Sequence, residues 1–221
     1  MPLYLINILL LIASVYAIFN RKSINQYGAD ALLIVLFLNL IVETIEYLLN
    51  LYPINNKGSI FVNNFSLPIE FISYGVLYKR LFTQKAFLYI INGSIVLFPI
   101  LTIASFFVNQ TIYPFHNYVF TFGCLFILFI TLSFFIKLII ADYFLVNPLT
   151  QFYFWLSVGL LFCYLGGFMY LSTLNYLFKK SSFLYYNLRN LNFILNCFYY
   201  FCIIISVKCL KTFPNSQIQS F

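Results

Sequence analysis

Charge is what this sequence lacks. Only 8% of its 221 residues are Asp, Glu, Lys or Arg, while 63% are hydrophobic and 22% aromatic. A soluble domain carries about 25% charged residues. So little charge cannot cover a water-facing surface, which excludes an ordinary soluble protein and points to a membrane. Acidic groups are the scarcest, with 5 Asp and Glu against 12 Lys and Arg and a net charge of +7. The basic residues are scattered between apolar runs and form no patch. They read as topogenic charge beside membrane spans, and no nucleic-acid partner is expected.

Other absences narrow the chemistry. His116 is the single histidine, and neither an HExxH motif nor a His-rich box accompanies it, so no metal site is expected. There is no GxSxG and no Ser/His pair for a serine hydrolase. No glycine-rich phosphate loop occurs, and no Lys lies mid-span in the last apolar run to form a retinal Schiff base. No cofactor is expected. The 5 cysteines, Cys124, Cys163, Cys197, Cys202 and Cys209, include no CxxC pair. The first four sit inside apolar runs and read as small buried hydrophobes. The N-terminus has no basic stretch before its first apolar run, and Arg21 and Lys22 come after it. That order suits a retained first span with its N-terminus outside better than a cleaved signal peptide.

What the sequence has is apolar runs of spanning length. A span needs about 17–25 mostly apolar residues. Seven such runs are expected, at 3–19, 29–49, 61–77, 87–107, 116–140, 152–174 and 188–207. Polar connections lie between them at 20–28, 52–59, 78–85, 108–114, 141–151 and 175–187, with a short tail to Phe221. The fold class is therefore all-α: a polytopic membrane helix bundle, one transmembrane domain over 1–221 with no soluble domain. With the N-terminus outside, Arg21, Lys22, Lys79, Arg80, Lys85, Lys137, Lys208 and Lys211 fall on the cytoplasmic side. Lys57, Lys179, Lys180 and Arg189 fall outside, a bias that supports N-out and C-in.

Against this apolar background the polar residues of the second run stand out. Asn39, Glu43, Glu46 and Asn50 follow i, i+4, i+7 and i+11 and share one helix face. Carboxylates inside a span are costly and call for a reason. The third run opens with Asn63, Asn64 and Ser66. It carries a second stripe of Asn63, Leu67, Glu70, Tyr74 and Tyr78, with Pro68 at a kink position in its first turns. A short turn makes the two runs antiparallel neighbours, so the stripes can face each other. At a rise of ~1.5 Å per residue, Glu46, Glu43 and Glu70 lie ~6, ~10 and ~13 Å from the outer end. Glu70 is the foremost candidate, and crowded carboxylates suit a proton-linked role. His116 and Asn117 open the fifth run on the same side. Arg189 opens the seventh, followed at helical spacing by Asn192, Asn196 and Tyr199. Together these residues outline an outward-facing polar pocket. The same groups also suit interhelical hydrogen bonding, which needs no ligand. In the sixth run Gly159, Cys163 and Gly167, widened by Gly166, permit close helix approach. Trp155 and the many tyrosines near run ends suit interfacial anchoring.

The stretch Phe152-Tyr-Phe-Trp155-Leu-Ser-Val-Gly159-Leu-Leu-Phe-Cys-Tyr164-Leu-Gly166-Gly-Phe, and Leu67-Pro68-Ile-Glu70-Phe-Ile, carry a resemblance. With the seven-span plan they resemble small uncharacterised bacterial seven-transmembrane-helix proteins of the kind associated with sensor histidine kinases. The resemblance implies a sensory or accessory role in the inner membrane, multi-pass, beside a separate signalling membrane protein such as a histidine kinase. It transfers no catalytic residue, and enzymatic activity is not the first expectation. Two other readings remain open: a small-solute or proton-coupled transporter, motivated by the intramembrane carboxylates with Pro68 and Pro99, and an intramembrane lipid-modifying enzyme.

Overall fold

Long apolar segments have one way to satisfy their backbone in lipid without a closed barrel, which is to coil as helices. The structure, a computed structural model, describes residues 3–51, 57–109, 115–140, 148–172 and 182–210, and these hold helices and no strand. The helices are α1 (Leu3–Phe19), α2 (Arg21–Gln26), α3 (Asp30–Leu51), α4 (Lys57–Lys79), α5 (Lys85–Asn109), α6 (Asn117–Ile140), α7 (Phe152–Ser172) and α8 (Ser182–Cys209). A 3-10 turn, Pro148–Thr150, precedes α7. Six of them, α3 to α8, are long and apolar enough to cross a membrane by length and composition. α1 is apolar but shorter. The chain is thus an all-α protein with the helices of a multi-pass membrane protein.

Three of the expected connections differ, the last because the final helix begins at Ser182, inside 175–187. Residues 20–28 hold a helix of their own, α2, because Arg21–Gln26 contains neither Gly nor Pro to break it. Gly28, at φ 65°, then turns the chain into α3. Its amide bonds Asn25 O at 2.8 Å, and the Ala29 amide bonds Ile24 O at 2.9 Å. The turn expected at 52–59 ends early, since α4 begins at Lys57; residues 52–56 lie outside the described residues. Pro68 and Pro99 stay inside continuous α4 and α5.

The helices run up and down. At one end Asn117 Nδ2 of α6 donates to Ser172 O at the end of α7 (2.9 Å). At the other, Ser206 Oγ of α8 donates to Phe152 O at the start of α7 (2.9 Å), and Lys137 Nζ of α6 to Leu81 O just beyond α4. That second end collects exposed Arg21, Lys22, Lys79, Arg80, Lys85 and Lys208. α8 packs along α7, α1 bridges α8 and α3, and α4 lies against α3, α5 and α6.

α4 is the least apolar of the six long helices and among the most buried. Both follow from its place at the centre of the bundle. Phe71 stacks on Phe98 of α5 (5.2 Å between ring centres) and meets Phe120 of α6 and Tyr164 of α7. Tyr78 hydrogen-bonds Ser157 Oγ of α7 at 2.6 Å. Outward, the helices present large apolar side chains such as Phe37, Val96, Ile103, Leu132, Phe162 and Ile194, a surface suited to lipid.

Candidate functional site

The facing stripes of α3 and α4 meet. Asn39 Nδ2 donates to Glu70 Oε1 at 3.3 Å, and Asn63 Nδ2 donates to Glu46 Oε1. Each pair has the same residue-number sum, so α3 and α4 run antiparallel in one register that places Glu43 opposite Ser66. Three carboxyl groups therefore follow one another along a single seam: Glu46, Glu43, Glu70. They are every glutamate in the chain.

Glu70 sits at the inner end of this series and is 9% exposed. Besides Asn39 it accepts a hydrogen bond from the Tyr74 hydroxyl (3.3 Å), and Tyr164 of α7 stands within electrostatic range. Its donors thus come from α3 and α4, and they meet lone pairs of its carboxyl group. Tyr74 passes the contact on, hydroxyl to hydroxyl, to Tyr199 of α8. Glu70 thereby stands among four helices in an interior otherwise filled by Phe71, Phe98 and Phe120. Glu46 and Glu43 are half-buried. Arg189 of α8 stands within electrostatic range of Glu46. Glu43 feels the charge of Glu46 and makes no hydrogen bond to the described residues. Buried Tyr200 of α8 is within electrostatic range of both Glu43 and Glu70.

Other expected residues lie elsewhere. Asn64 and His116 form a separate corner, where the His116 amide donates to Asn64 Oδ1 at 2.9 Å. The His116 ring meets Phe106 of α5 edge-on at 4.5 Å. It is 1% exposed, and among the described residues neither ring nitrogen has a hydrogen-bond partner. His116 precedes α6, and burial lowers its pKa. It therefore does not open a mouth beside the carboxyl groups. Asn196 sits on the α7–α8 contact: it accepts from Cys163 Sγ (3.4 Å) and donates to Asn192 O (3.0 Å). Asn192 packs against Gly167. Arg189 is exposed at the start of the same helix. The expectations therefore resolve into a seam of Asn39, Glu43, Glu46, Asn63, Glu70 and Tyr74, with Arg189 at its edge, plus the two separate contacts.

Sequence reasoning placed Tyr199 with the pocket but omitted Tyr164 and Tyr200. Tyr199 had a signal, since it continues the Asn192–Asn196 spacing on α8. Tyr164 had none among 48 Tyr and Phe residues. Among the described residues, no group of three His, Cys, Asp or Glu is placed to hold a metal ion.

No protein-family model matches this chain, and no curated protein or solved structure matches it either.

Proposed function

We propose that this chain is a seven-span sensory or accessory protein, N-terminus outside and C-terminus cytoplasmic, of a bacterial inner membrane. It takes a small polar molecule at the Glu43–Glu46 end of the seam and passes the change to a separate signalling membrane protein, such as a histidine kinase. One observation carries the reading: Glu70 hydrogen-bonds side chains of α3 and α4, lies within electrostatic range of Tyr164 of α7, and through Tyr74 reaches α8. A ligand that shifts α3 at Glu43 disturbs the contacts that hold these helices together. α1 supplies the seventh span. Its 17 residues give ~25 Å at the α-helical rise, near the lower limit for crossing. The excess of Lys and Arg on one side supports the orientation, and the resemblance of 67–72 and 152–168 to sensor-associated seven-helix proteins supports the partner.

Purification from native membranes in mild detergent tests this reading. The expected result is a second membrane protein retained in fixed proportion, and its retention falling severalfold with Glu43→Gln and Glu46→Gln together. A protein that always purifies alone contradicts it.

A further inference from the structure

The seam does not stop at Glu70. Its exchangeable protons continue, group by group, toward the opposite end of the bundle. Glu46 and Glu43 lie one turn apart on α3, and Tyr200 is in electrostatic range of Glu43 and Glu70. Glu70 meets Tyr74 at 3.3 Å, and Tyr74 meets Tyr199. Tyr199 is within electrostatic range of Tyr78, which bonds Ser157 at 2.6 Å. The Tyr78 ring lies 5.7 Å from that of Tyr153, and Tyr153 is within electrostatic range of Arg80 at the basic end. Around this line the interior is aromatic and aliphatic. Carboxyl and hydroxyl groups thus follow one another from the half-buried glutamates toward the arginine-bearing end, with Tyr74 and Tyr78 four residues apart on α4, a rise of ~6 Å along the helix. Transfer across that spacing requires one bridging water.

Hydrogen-bonding glue accounts for each pair taken singly. It does not account for all three glutamates and four buried tyrosines lying on one path. Ionisable groups inside spans mark proton relays when they form such chains.

We propose that the α3–α4 seam, continued by Tyr200, Tyr74, Tyr199 and Tyr78, is a proton relay across the bundle. A proton enters on the carboxylate oxygen of Glu46 or Glu43. At each step one O–H bond breaks at the donor as one forms at the next oxygen, and each hydroxyl regains a proton from the group behind it. One proton leaves beyond Ser157 and Tyr153, and every group ends as it began. No oxidant, reductant or other reactant takes part. The relay rests on the seam's geometry and not on the sensory reading, so failure to retain a partner leaves it standing.

Proteoliposomes holding the purified chain test the relay. A potassium diffusion potential set with valinomycin drives protons, and entrapped pyranine reports them. Wild type is expected to carry protons clearly faster than protein-free liposomes. Glu70→Gln and Tyr74→Phe, each monodisperse in detergent and helical by circular dichroism, are expected to lose at least about tenfold of that flux; Tyr199→Phe replaces either variant that fails to fold. Tyr89→Phe, at an exposed position on α5 away from the seam, is expected to keep it. Flux no greater than in empty liposomes overturns the relay. So does flux retained in either seam variant, or lost equally in Tyr89→Phe.

Discussion

Gly123 of α6 shows how single residues set the shape of this interior. A Cβ built there falls 2.0 Å from the Phe71 ring. Phe71 is fully buried and stacked on Phe98, so it has nowhere to retreat. Gly123→Val is expected to cost about 1–3 kcal/mol through overpacking, read as a lower thermal midpoint in detergent. Gly93 of α5 is the counter-case, with nothing within 4 Å of its Cβ. Gly93→Ala is expected to be neutral or to stabilise by up to about 1 kcal/mol, the difference in helix propensity. Equal midpoints for the two variants would contradict this packing. The sequence distinguishes none of this, because both are glycines inside apolar runs and only tertiary neighbours separate them. Glu70 was legible at the same scale: a carboxyl group on a spanning segment stands out by cost alone. Its neighbour Tyr164 was not, since a tyrosine in a chain this aromatic carries no distinguishing signal.

At the scale of elements, α4 owes its place to composition. Its polar residues make it the costliest helix to expose to lipid, and surrounding it with α3, α5, α6, α7 and α8 supplies their partners. The Tyr74–Tyr199 contact ties it to α8 at the level of Glu70. A double-mutant cycle of Tyr74→Phe and Tyr199→Phe is expected to give a coupling of about 0.5–2 kcal/mol. A coupling near zero would mean that the two hydroxyls do not depend on each other. The spacing of Asn39, Glu43 and Glu46 on α3, and of Asn63, Glu70 and Tyr74 on α4, made the facing stripes legible before any coordinates, because helical periodicity alone fixes which residues share a face. His116 escaped that logic. It precedes α6 rather than riding on it, so periodicity could not tell the buried Asn64–Phe106 corner from the seam. The helix of Arg21–Gln26 escaped as well, since a short polar segment has no apolar period to reveal it.

For the whole molecule, run length and hydropathy made the all-α class and its apolar helices legible: six expected spans overlap helices of spanning length, and 3–19 coincides with the shorter α1. Lipid leaves few alternatives to a helix, so length is nearly sufficient evidence. The arrangement of the bundle was less accessible, because side-chain pairs such as Glu70 with Tyr164 depend on which helices become neighbours. The structure gathers Lys79, Arg80, Lys85 and Lys208 at one end and the Glu46–Asn63 pair at the other. The proposed orientation puts the basic end in the cytoplasm and opens Glu43 and Glu46 outward. The most direct test replaces the five cysteines with serine or alanine, introduces Glu43→Cys or Lys85→Cys singly, and treats intact cells with a membrane-impermeant maleimide. Cysteine at position 43 is expected to react from outside, and cysteine at 85 only after the membrane is opened. Reaction at 85 in intact cells, with 43 reached only from within, would contradict an outward-opening carboxyl seam.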